Sequence, residues 1–327
     1  MSDRGGGFGA RPRVGLLSVI VLTYNEERHI RRCLEQLDRV ADQVLVVDAF
    51  STDATRDIAE AMGARVMTHA WTNYADQLNW ALENAGVTSD WVMRLDADEV
   101  LDRRLKEGLR DWLTAADPAT GGFEIRRRIV FMGREIRHGG MSPMWVTRLW
   151  RRGAARCEST WMDEHMLVRD GGIGRLPGGI LDVNLRSLTW WTAKHNGYAS
   201  REAVDLLLRQ HRGDSHGHGL DGLNRQARLK RWAKTRVYGR LPLGMRAWLY
   251  FLYRIFLRLG ALDGGRGMLF HVLQGLWYRY LVDAKVLEVQ TLMVERGYGI
   301  ERAIREALGI ALDASDHGGR EPGTRPR

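Results

Sequence analysis

The sequence predicts an α/β fold, in which a mostly parallel sheet carries helices on both faces and is followed by a helical C-terminal region. Three observations lead to this prediction. Strand-like and helix-like segments alternate regularly between residues 16 and 98. Polar residues follow the strand-like segments, as they do where a parallel sheet opens onto a ligand crevice. The length of 327 residues accommodates one larger domain and a smaller appended region.

Short apolar segments predict the strands. Leu17–Thr23 is rich in β-branched residues, which is typical of a buried strand. Gln43–Asp48 and Ala64–Thr68 are the next two candidates, and Trp91–Leu95 leads directly into Asp96. Because helices separate these segments, we expect the strands to pair in parallel.

The intervening segments predict helices. Asn25 is expected to cap the first helix, whose apolar positions recur every three or four residues. A second helix follows Asp53 and ends at Gly63, since a left-handed C-terminal residue is easiest at glycine. Further helices are predicted at residues 74–84 and 101–113.

Two aspartates one residue apart, Asp96 and Asp98, end the fourth strand. Carboxylates placed so close together favour a divalent cation between them. Their oxygens suit Mg²⁺ or Mn²⁺, which keep coordination positions open for water and for the phosphates of a substrate. The predicted ligand is therefore a nucleotide diphosphate. The alternative is that Asp96, Asp98 and Glu99 cap the following helix, where acidic residues favour the positive end of its dipole.

The polar segments that follow the strands are expected to converge on one crevice. Their sequences resemble the three signature blocks of family 2 glycosyltransferases, which have the GT-A fold. The blocks read Leu-Ser-Val-Ile-Val-Leu-Thr-Tyr-Asn-Glu-Glu, Val-Val-Asp-Ala-Phe-Ser-Thr-Asp and Leu-Asp-Ala-Asp-Glu. Their order and spacing also agree. One departure is Ala49-Phe50, which stands where the family usually has a small residue and Gly.

The resemblance extends to a subgroup that includes lipopolysaccharide-core β-1,4-glucosyltransferases and related exopolysaccharide enzymes, and it covers residues 16–290. The additional blocks are Ile136–Gly140, Arg148–Arg152, Trp161–His165, Lys194–Tyr198 and Leu262–Gly267. It implies an inverting, metal-dependent glycosyltransferase. Such an enzyme would move a sugar from a nucleotide-diphosphate sugar, UDP-linked, to a lipid-linked glycan of lipopolysaccharide or exopolysaccharide assembly.

The resemblance also implies donor-side roles for particular residues. Thr23, Tyr24 and Glu26 would border the nucleotide, with Tyr24 offering a flat face to the base. Asp48 would accept a hydrogen bond from a base N–H; the alternative for Asp48 is a helix-entry turn formed with Ser51 and Asp53.

Further donor-side roles follow from the same resemblance. Gln77, together with Asn79, falls in a segment that resembles the donor-side helix of the family; the alternative is that both lie on its solvated face. Asp96 would meet the ribose or a metal-bound water. Asp98 would ligate the Mg²⁺ or Mn²⁺ that bridges the two phosphates.

The acceptor's hydroxyl proton requires a base, and Asp163 and Glu164 are the candidates. Glu164 matches a Glu of the subgroup and is preferred, whereas Asp163 better resembles the acidic base of the wider family. A carboxylate on the far side of the sugar inverts the anomeric carbon. The alternative is a surface acidic pair neutralised by arginines. His138 and His165 are further candidates for binding metal or phosphate, and hydrogen-bonded structural roles are their alternative.

Composition predicts a cytoplasmic protein. Its two cysteines, Cys33 and Cys157, form no spaced set, which fits a reducing compartment. The N-terminus lacks the apolar core of a signal peptide. The predicted domains are a disordered tail at 1–14, the GT-A domain at 15–185, a helical, basic region on the acceptor side at 186–312, and a second disordered tail at 313–327.

The net charge of +9 is unevenly distributed, because residues 225–258 hold ten Lys or Arg and no acid. Large aromatic residues interrupt this stretch, and Trp248–Leu259 is a compact apolar run. A spanning helix needs about 20 mostly apolar residues, so the run predicts a peripheral site on an anionic membrane surface at the inner face of the cell membrane, rather than a nucleic-acid site. The alternative is a helical subdomain with solvated arginines.

Two other functions compete with the glycosyltransferase hypothesis. A nucleotidyltransferase also pairs carboxylates on a metal beside a parallel sheet, but residues 23–27 contain neither the Gly nor the Lys that would hold a triphosphate. A non-enzymatic module that binds membranes or nucleic acid would explain residues 225–258 and leave Asp48, Asp96, Asp98 and Glu164 without a role.

Overall fold

The computed structural model describes residues 15–158, 166–211 and 243–312. The base candidates Asp163 and Glu164, with His165, lie outside the described residues, as do both predicted tails and most of the basic stretch. The chain divides into two compact units. The first comprises residues 1–187 and 259–267, and the second comprises residues 188–258 and 268–327.

The first unit is built on β-strands and short helices. Its strands are β1 (Leu17–Thr23), β2 (Gln43–Asp48), β3 (Arg65–Thr68), β4 (Trp91–Asp96), β5 (Glu99–Leu101), β6 (Thr120–Phe131), β7 (Arg134–Glu135), β8 (Met144–Arg151), β9 (Ala155–Cys157), β10 (Met166–Val168) and β11 (Gly172–Val183). Its helices are α1 (Ile30–Glu35), α2 (Thr55–Ala61), α3 (Tyr74–Asn84) and α4 (Arg103–Thr114).

The main sheet has the strand order β3-β2-β1-β4-β8-β6-β11-β5, with β7 added beside β6. The first four of these strands pair in parallel, as predicted. β8 then runs antiparallel to both β4 and β6, while β11 is parallel to β6 and antiparallel to β5. β9 and β10 form a separate antiparallel pair. The predicted α/β class is confirmed, with a mixed second half of the sheet.

Helices cover both faces because alternate side chains of the strands point in opposite directions. Val19 and Val21 of β1 are buried in a cluster with residues of α1, α2 and α4. Ile20 lies in the opposite cluster, against Leu78 and Ala81 of α3. Fully burying a side chain such as Ile20 contributes roughly 1.5–3 kcal/mol. These two layers fix the sheet edge at which the strands end.

The predicted helices are present with one change of cap. Gly63 follows α2 with a φ of +80°, the left-handed conformation expected there. Asn25 was predicted to cap α1, and this is wrong: the N-cap is His29, without a side-chain cap bond. Asn25 instead adopts a φ of +55°, and its Oδ1 accepts a hydrogen bond from Thr52 N at 2.8 Å. The amide therefore joins two neighbouring strand-end loops.

The second unit is helical where it is described. It contains α5 (Leu188–His211), α6 (Met245–Leu252), α8 (Tyr278–Arg296) and α9 (Ile300–Leu308), with π-helical segments Tyr253–Leu257 and His271–Trp277. Gly260–Asp263, a 3₁₀ turn, and the start of α7 (Gly264–Phe270) belong to the first unit. Val204, Val286 and Ile304 are core residues of the second unit. Each helix in the described ranges is too short or too polar to cross a bilayer.

Candidate active site

The register of the parallel strands brings the predicted donor residues to one edge. Thr23, the last residue of β1, pairs with Asp48 at the end of β2. Leu22 pairs with Asp96 at the end of β4. Since neighbouring strands lie about 4.8 Å apart, the Asp48 and Asp96 backbones are separated by two strand spacings, about 10 Å. The carboxyl ends of three parallel strands thus line a common edge.

Asp48 is fully buried in a compact polar turn. Thr23 Oγ1 donates to its Oδ2 at 2.7 Å, and Ser51 N donates to its Oδ1 at 2.7 Å. Ser51 Oγ also donates to Oδ2, at 2.5 Å. Arg56 Nε lies 3.9 Å from Oδ1. Asp48 therefore forms a helix-entry turn with Ser51, the local chemistry that the alternative hypothesis required.

Two aromatic side chains follow β1 and β2 and are open to solvent. Tyr24 is 58% exposed and Phe50 is 55% exposed. Phe50 has a φ of +59°, a left-handed conformation that favours glycine. An aromatic residue therefore occupies a backbone position where a smaller one would be easier, and its ring faces water beside the Asp48 turn.

Glu26 is held by a chain of hydrogen bonds. His29 Nδ1 lies 2.6 Å from Glu26 Oε2, and Leu185 N donates to His29 Nε2 at 2.9 Å. Because Nε2 accepts, Nδ1 carries the proton donated to Glu26. Arg186 Nη2 also lies 3.8 Å from this carboxylate. These hydrogen bonds link the loop after β1 to the segment that follows β11.

Asp96 accepts hydrogen bonds from two side chains of neighbouring elements. Tyr74 Oη donates to Oδ1 at 3.2 Å, and Arg148 Nη2 donates to Oδ2 at 2.9 Å. Arg94 Nε lies 3.5 Å from Oδ1, and its guanidinium stacks 4.1 Å from the centre of the Tyr74 ring. Burial by itself raises the pKa of Asp96, but Arg148 and Arg94 lower that pKa well below its usual range. Asp96 is thus an ionised carboxylate held by cations.

Glu99 lies behind Asp96 and is fully buried. Its carboxylate accepts hydrogen bonds from Asp96 N at 3.0 Å and Arg127 Nε at 3.1 Å, and a short one from Arg148. Burial and the charge of Asp96 raise the pKa of Glu99 to about 7, against the opposing effect of the two guanidiniums. Arg148 therefore bridges two carboxylates.

The helix-cap alternative for the acidic residues is wrong. α4 is capped by Asp102, whose Oδ1 accepts from Leu105 N at 2.8 Å. Glu99 instead begins β5, and Asp96 and Asp98 flank a tight turn between β4 and β5.

Asp98 has fewer side-chain partners than Asp96, although both are half-buried. Its Oδ2 accepts a hydrogen bond from Asn184 Nδ2 at 3.2 Å, the single hydrogen bond to this carboxylate within the described ranges. The backbone carbonyl of Asp98 accepts from Val183 N at 3.0 Å and from Arg32 at 3.2 Å, so the turn itself is anchored. A half-buried carboxylate with an oxygen to spare fits a hard divalent cation.

Additional protein ligands for such a cation are not assembled around Asp98. The described residues contain no group of three or more His, Cys, Asp or Glu side chains arranged to hold a metal. A divalent ion held by Asp98 would also take water and phosphate oxygens of a substrate as ligands, which is the way Mg²⁺ is commonly bound.

The remaining sequence candidates have structural contacts. Gln77 is 1% exposed, and its Nε2 donates to the carbonyl of His69 at 3.3 Å. Asn79 exchanges two hydrogen bonds with the backbone of Cys157, at 3.0 and 2.9 Å. The alternative of a solvated helix face is therefore wrong for Gln77, and Asn79 is half-buried. His138 pairs with Asp263 at 2.8 Å.

Sequence reasoning missed several residues that shape this edge. Tyr74, Arg94 and Arg148 surround Asp96, and Asn184 and Arg32 hold the Asp98 turn. Arg148 stands in a block that was noted, but nothing in that block indicated a carboxylate partner. Asn184 comes from β11's end, 86 residues away from Asp98, and its pairing depends on a strand order that local patterns do not encode.

Comparison with known proteins identifies relatives of this chain. The family described as "Glycosyl transferase family 2" matches residues 18–159. A lipopolysaccharide core biosynthesis glycosyltransferase, LpsC of Rhizobium meliloti (strain 1021), is 30% identical over 194 residues, which cover 57% of this chain and 70% of that protein. An uncharacterized glycosyltransferase of Rickettsia bellii (strain RML369-C) is 37% identical over 201 residues, covering 58% of this chain and 67% of that protein.

A solved structure also matches part of the chain. It is glucosyl-3-phosphoglycerate synthase from Mycobacterium tuberculosis, crystallised with Mn²⁺, uridine diphosphate and glucosyl-3-phosphoglycerate. The match has 22% sequence identity and a TM-score of 0.30, and it covers 35% of this chain and 44% of that one.

Proposed function

The chain belongs to glycosyltransferase family 2, and we propose that it moves a sugar from a UDP-linked donor to a lipid-linked glycan, with inversion at the anomeric carbon. The observation that supports this proposal is the common edge formed by Thr23, Asp48, Asp96 and Asp98 at the carboxyl ends of parallel strands. Ligands of open α/β sheets bind at such an edge. Family membership as a glycosyltransferase displaces the nucleotidyltransferase and the non-enzymatic alternatives.

The donor's nucleotide would lie over the ends of β1 and β2. Tyr24 offers an exposed ring to the base, whereas Asp48 is fully buried and would accept a base N–H in addition to its present hydrogen bonds. Because Asp48 already accepts three hydrogen bonds, it is held in place before the donor arrives. Asp96, kept ionised by Arg148, would accept a hydrogen bond from the ribose or from a bound water.

Asp98 would hold Mg²⁺ or Mn²⁺. When bound, such an ion neutralises the charge that develops on the leaving diphosphate. The residues of this chain prepare the site: Asn184 orients the Asp98 carboxylate, and Arg32 fixes the turn that presents it. Gln77, a buried residue of α3, would support the donor side of the site.

Glu164, or its neighbour Asp163, would take the proton from the acceptor hydroxyl. Both lie in the block Trp161–His165, which falls between β9 and β10 in the sequence. The acceptor oxygen, once the carboxylate has taken its proton, would attack the anomeric carbon from the side opposite the leaving diphosphate, and a single displacement of this kind inverts that carbon, as in inverting glycosidases.

The acceptor would be presented at the inner face of the cell membrane, and the exposed surface of α6 supports this part of the proposal. Outward side chains of α6 and of the π-helical segment Tyr253–Leu257 after it, 42–67% exposed, recur at helical spacing: Met245, Trp248, Leu249, Leu252, Tyr253 and Phe256. We call this set the apolar stripe. Contiguous exposed apolar surface commonly marks an interaction site. Ten cations and no acids between residues 225 and 258 would favour an anionic lipid surface.

The acceptor class also draws on the Rhizobium relative, whose name assigns it to lipopolysaccharide core biosynthesis. We therefore propose a cytoplasmic, peripheral enzyme of lipopolysaccharide or exopolysaccharide assembly.

A screen of nucleotide sugars tests the proposed donor. A ligand that binds only the folded state raises stability by mass action, about 2.7 kcal/mol at a concentration one hundred times its dissociation constant. UDP-sugars with Mn²⁺ should raise the melting temperature more than GDP-, CMP- or dTDP-sugars do. Equal stabilisation by all nucleotides, or none with any of them, would contradict the proposed donor class.

A further inference from the structure

Two glycine-containing blocks that are 120 residues or more apart meet in the first unit. Asp263, in the 3₁₀ turn, accepts hydrogen bonds from Arg137 N and His138 N, each at 3.1 Å. His138 Nδ1 lies 2.8 Å from the same carboxylate. Asp263 is 2% exposed, whereas the imidazole of His138 is 35% exposed. A buried carboxylate therefore holds an accessible imidazole, with Nδ1 as the donor and Nε2 turned away from Asp263.

The close fit of the second block depends on glycine. Gly264 has a φ of +72°, and a side chain at Gly267 would lie 2.1 Å from the Asp263 Cβ. Any larger residue at Gly267 would displace the carboxylate that holds His138. The glycines therefore allow Asp263 to pack closely against the backbone of its own segment and against the loop after β7.

Two exposed arginines, one on each of the two chain segments, contact the other segment. A Cβ built on Gly264 would lie 3.4 Å from Arg134 Nη2, so this guanidinium packs over the glycine. Arg266 Nη1 donates in return to the carbonyl of Met132 at 3.0 Å. Neither guanidinium is ion-paired with a carboxylate in the part of the chain that the structure describes. Both guanidiniums are exposed, so their positive charge faces solvent and is accessible to an anion.

The blocks lie at the same end of the sheet as Asp98. Ile136 N donates to the carbonyl of Ile129 at 2.8 Å, and Ile129 pairs with Asp182 of β11. Two residues further along, Asn184 contacts Asp98. The loop carrying His138 therefore stands over the second half of the sheet, beside the proposed donor edge, where an acceptor would approach.

We propose that His138, Arg134 and Arg266 bind a phosphate group of the acceptor. Guanidinium groups match phosphate geometry, and an imidazole nitrogen adds a directional hydrogen bond. That the phosphate belongs to an acceptor rests on the proposed function; the phosphate site itself rests on the three side chains that contact the same two segments. The phosphate could belong to a phosphorylated sugar or to a lipid. Asp263 is a positioning residue that fixes the imidazole.

Calorimetric titration of the full chain tests the site without turnover. The probes are glucose 6-phosphate, dihexanoyl phosphatidic acid and unphosphorylated glucose, each also titrated into Asp98→Asn. We expect the two phosphate probes, and not glucose, to bind the parent and Asp98→Asn alike. The tighter of the two identifies the source of the phosphate. Binding that disappears with Asp98→Asn would assign the phosphate to the donor site and overturn the inference.

The variant Arg134→Gln/Arg266→Gln should weaken phosphate binding by about tenfold or more, as expected for lost charge-assisted hydrogen bonds. Arg134→Lys/Arg266→Lys keeps the charge and should lose less. Arg103→Gln, an exposed arginine of α4, is the matched control. His138→Gln and Asp263→Asn should each weaken phosphate binding. Because Asp263 acts through His138, the variant that carries both of these changes should bind phosphate no more weakly than either single variant. Parent-like phosphate binding by the double arginine variant, or no binding by the parent, would overturn the proposal.

Discussion

Arg148 Nη2 lies 2.9 Å from Asp96 Oδ2 and also contacts Glu99, so one buried guanidinium holds two carboxylates at the end of β4. Asp96 is the last residue of β4, at the proposed donor edge, whereas Glu99 is buried behind it. Arg127 forms ion pairs with both Glu99 and Asp182, which places a second guanidinium beside Glu99. The two aspartates of the sequence pair therefore differ in their partners: Asp96 contacts a buried cationic network, and the Asp98 carboxylate accepts one hydrogen bond, from Asn184.

Arg148→Met should destabilise the fold strongly. It leaves two carboxylates facing each other without their shared cation, and removing one partner of a buried pair costs about 3–5 kcal/mol. Urea unfolding followed by circular dichroism measures the change. Arg103→Met, which removes an exposed guanidinium from α4, should leave the unfolding free energy close to that of the parent. Similar losses in the two variants would mean that Arg148 does not bridge the carboxylates.

Asp96→Asn should make the free energy of unfolding less dependent on pH in the acidic range. A carboxylate whose folded pKa is lowered stabilises the fold above its unfolded pKa, near 3.8, and this contribution disappears as the pH falls through the folded value. The variant should therefore lose roughly 1.5–3 kcal/mol at pH 7, the scale of a hydrogen bond to a charged group. Urea unfolding at pH 7, 5 and 3.5 should show the difference from the parent narrowing below about pH 4. A difference that grows on acidification would contradict an ionised Asp96.

Glu164→Gln should slow transfer by roughly 10²-fold or more while donor binding stays near normal, as expected for a lost general base. Asp163→Asn should slow transfer less. Transfer to a membrane-extract acceptor and calorimetric binding of the donor measure the two effects separately. The reverse ranking would move the base by one residue. Unchanged transfer in both variants would remove the inverting base from this block.

The apolar stripe should attach the protein to anionic liposomes. Leu249→Gln/Leu252→Gln/Phe256→Gln should reduce sedimentation with vesicles that contain phosphatidylglycerol, and the loss should persist at high salt because apolar burial is not screened. Leu287→Gln/Val294→Gln, which changes exposed apolar residues of α8, is the control.

The cations should add a salt-sensitive part to this binding. Replacing Arg228, Lys230, Arg231 and Lys234 with Gln should weaken binding at low salt, at about 1 kcal/mol per cation at most. Equal binding to neutral and anionic vesicles, or preferential capture by nucleic acid at physiological salt, would contradict the membrane proposal.

The local patterns of the sequence predicted the parallel half of the sheet well. β1 and β2 have the predicted bounds, and α3 spans the predicted residues, because apolar periodicity reports burial directly. The second half was not predicted strand by strand, since β6, β8 and β11 pair through long-range registers. The same limit explains the site: Asp48, Asp96 and Asp98 stood out as strand-end acids. Their partners Arg148 and Asn184 reach them through the tertiary fold.

The most direct test of the account is calorimetric binding of UDP with and without Mn²⁺, in the parent and in Asp98→Asn. We expect Mn²⁺ to strengthen UDP binding by the parent by about tenfold or more, equivalent to at least about 1.4 kcal/mol. Asp98→Asn should keep the metal-free affinity and the fold, and lose most of the gain from Mn²⁺. UDP binding that Mn²⁺ does not change in the parent, or an equal gain in Asp98→Asn, would contradict a metal-assisted donor site at Asp98.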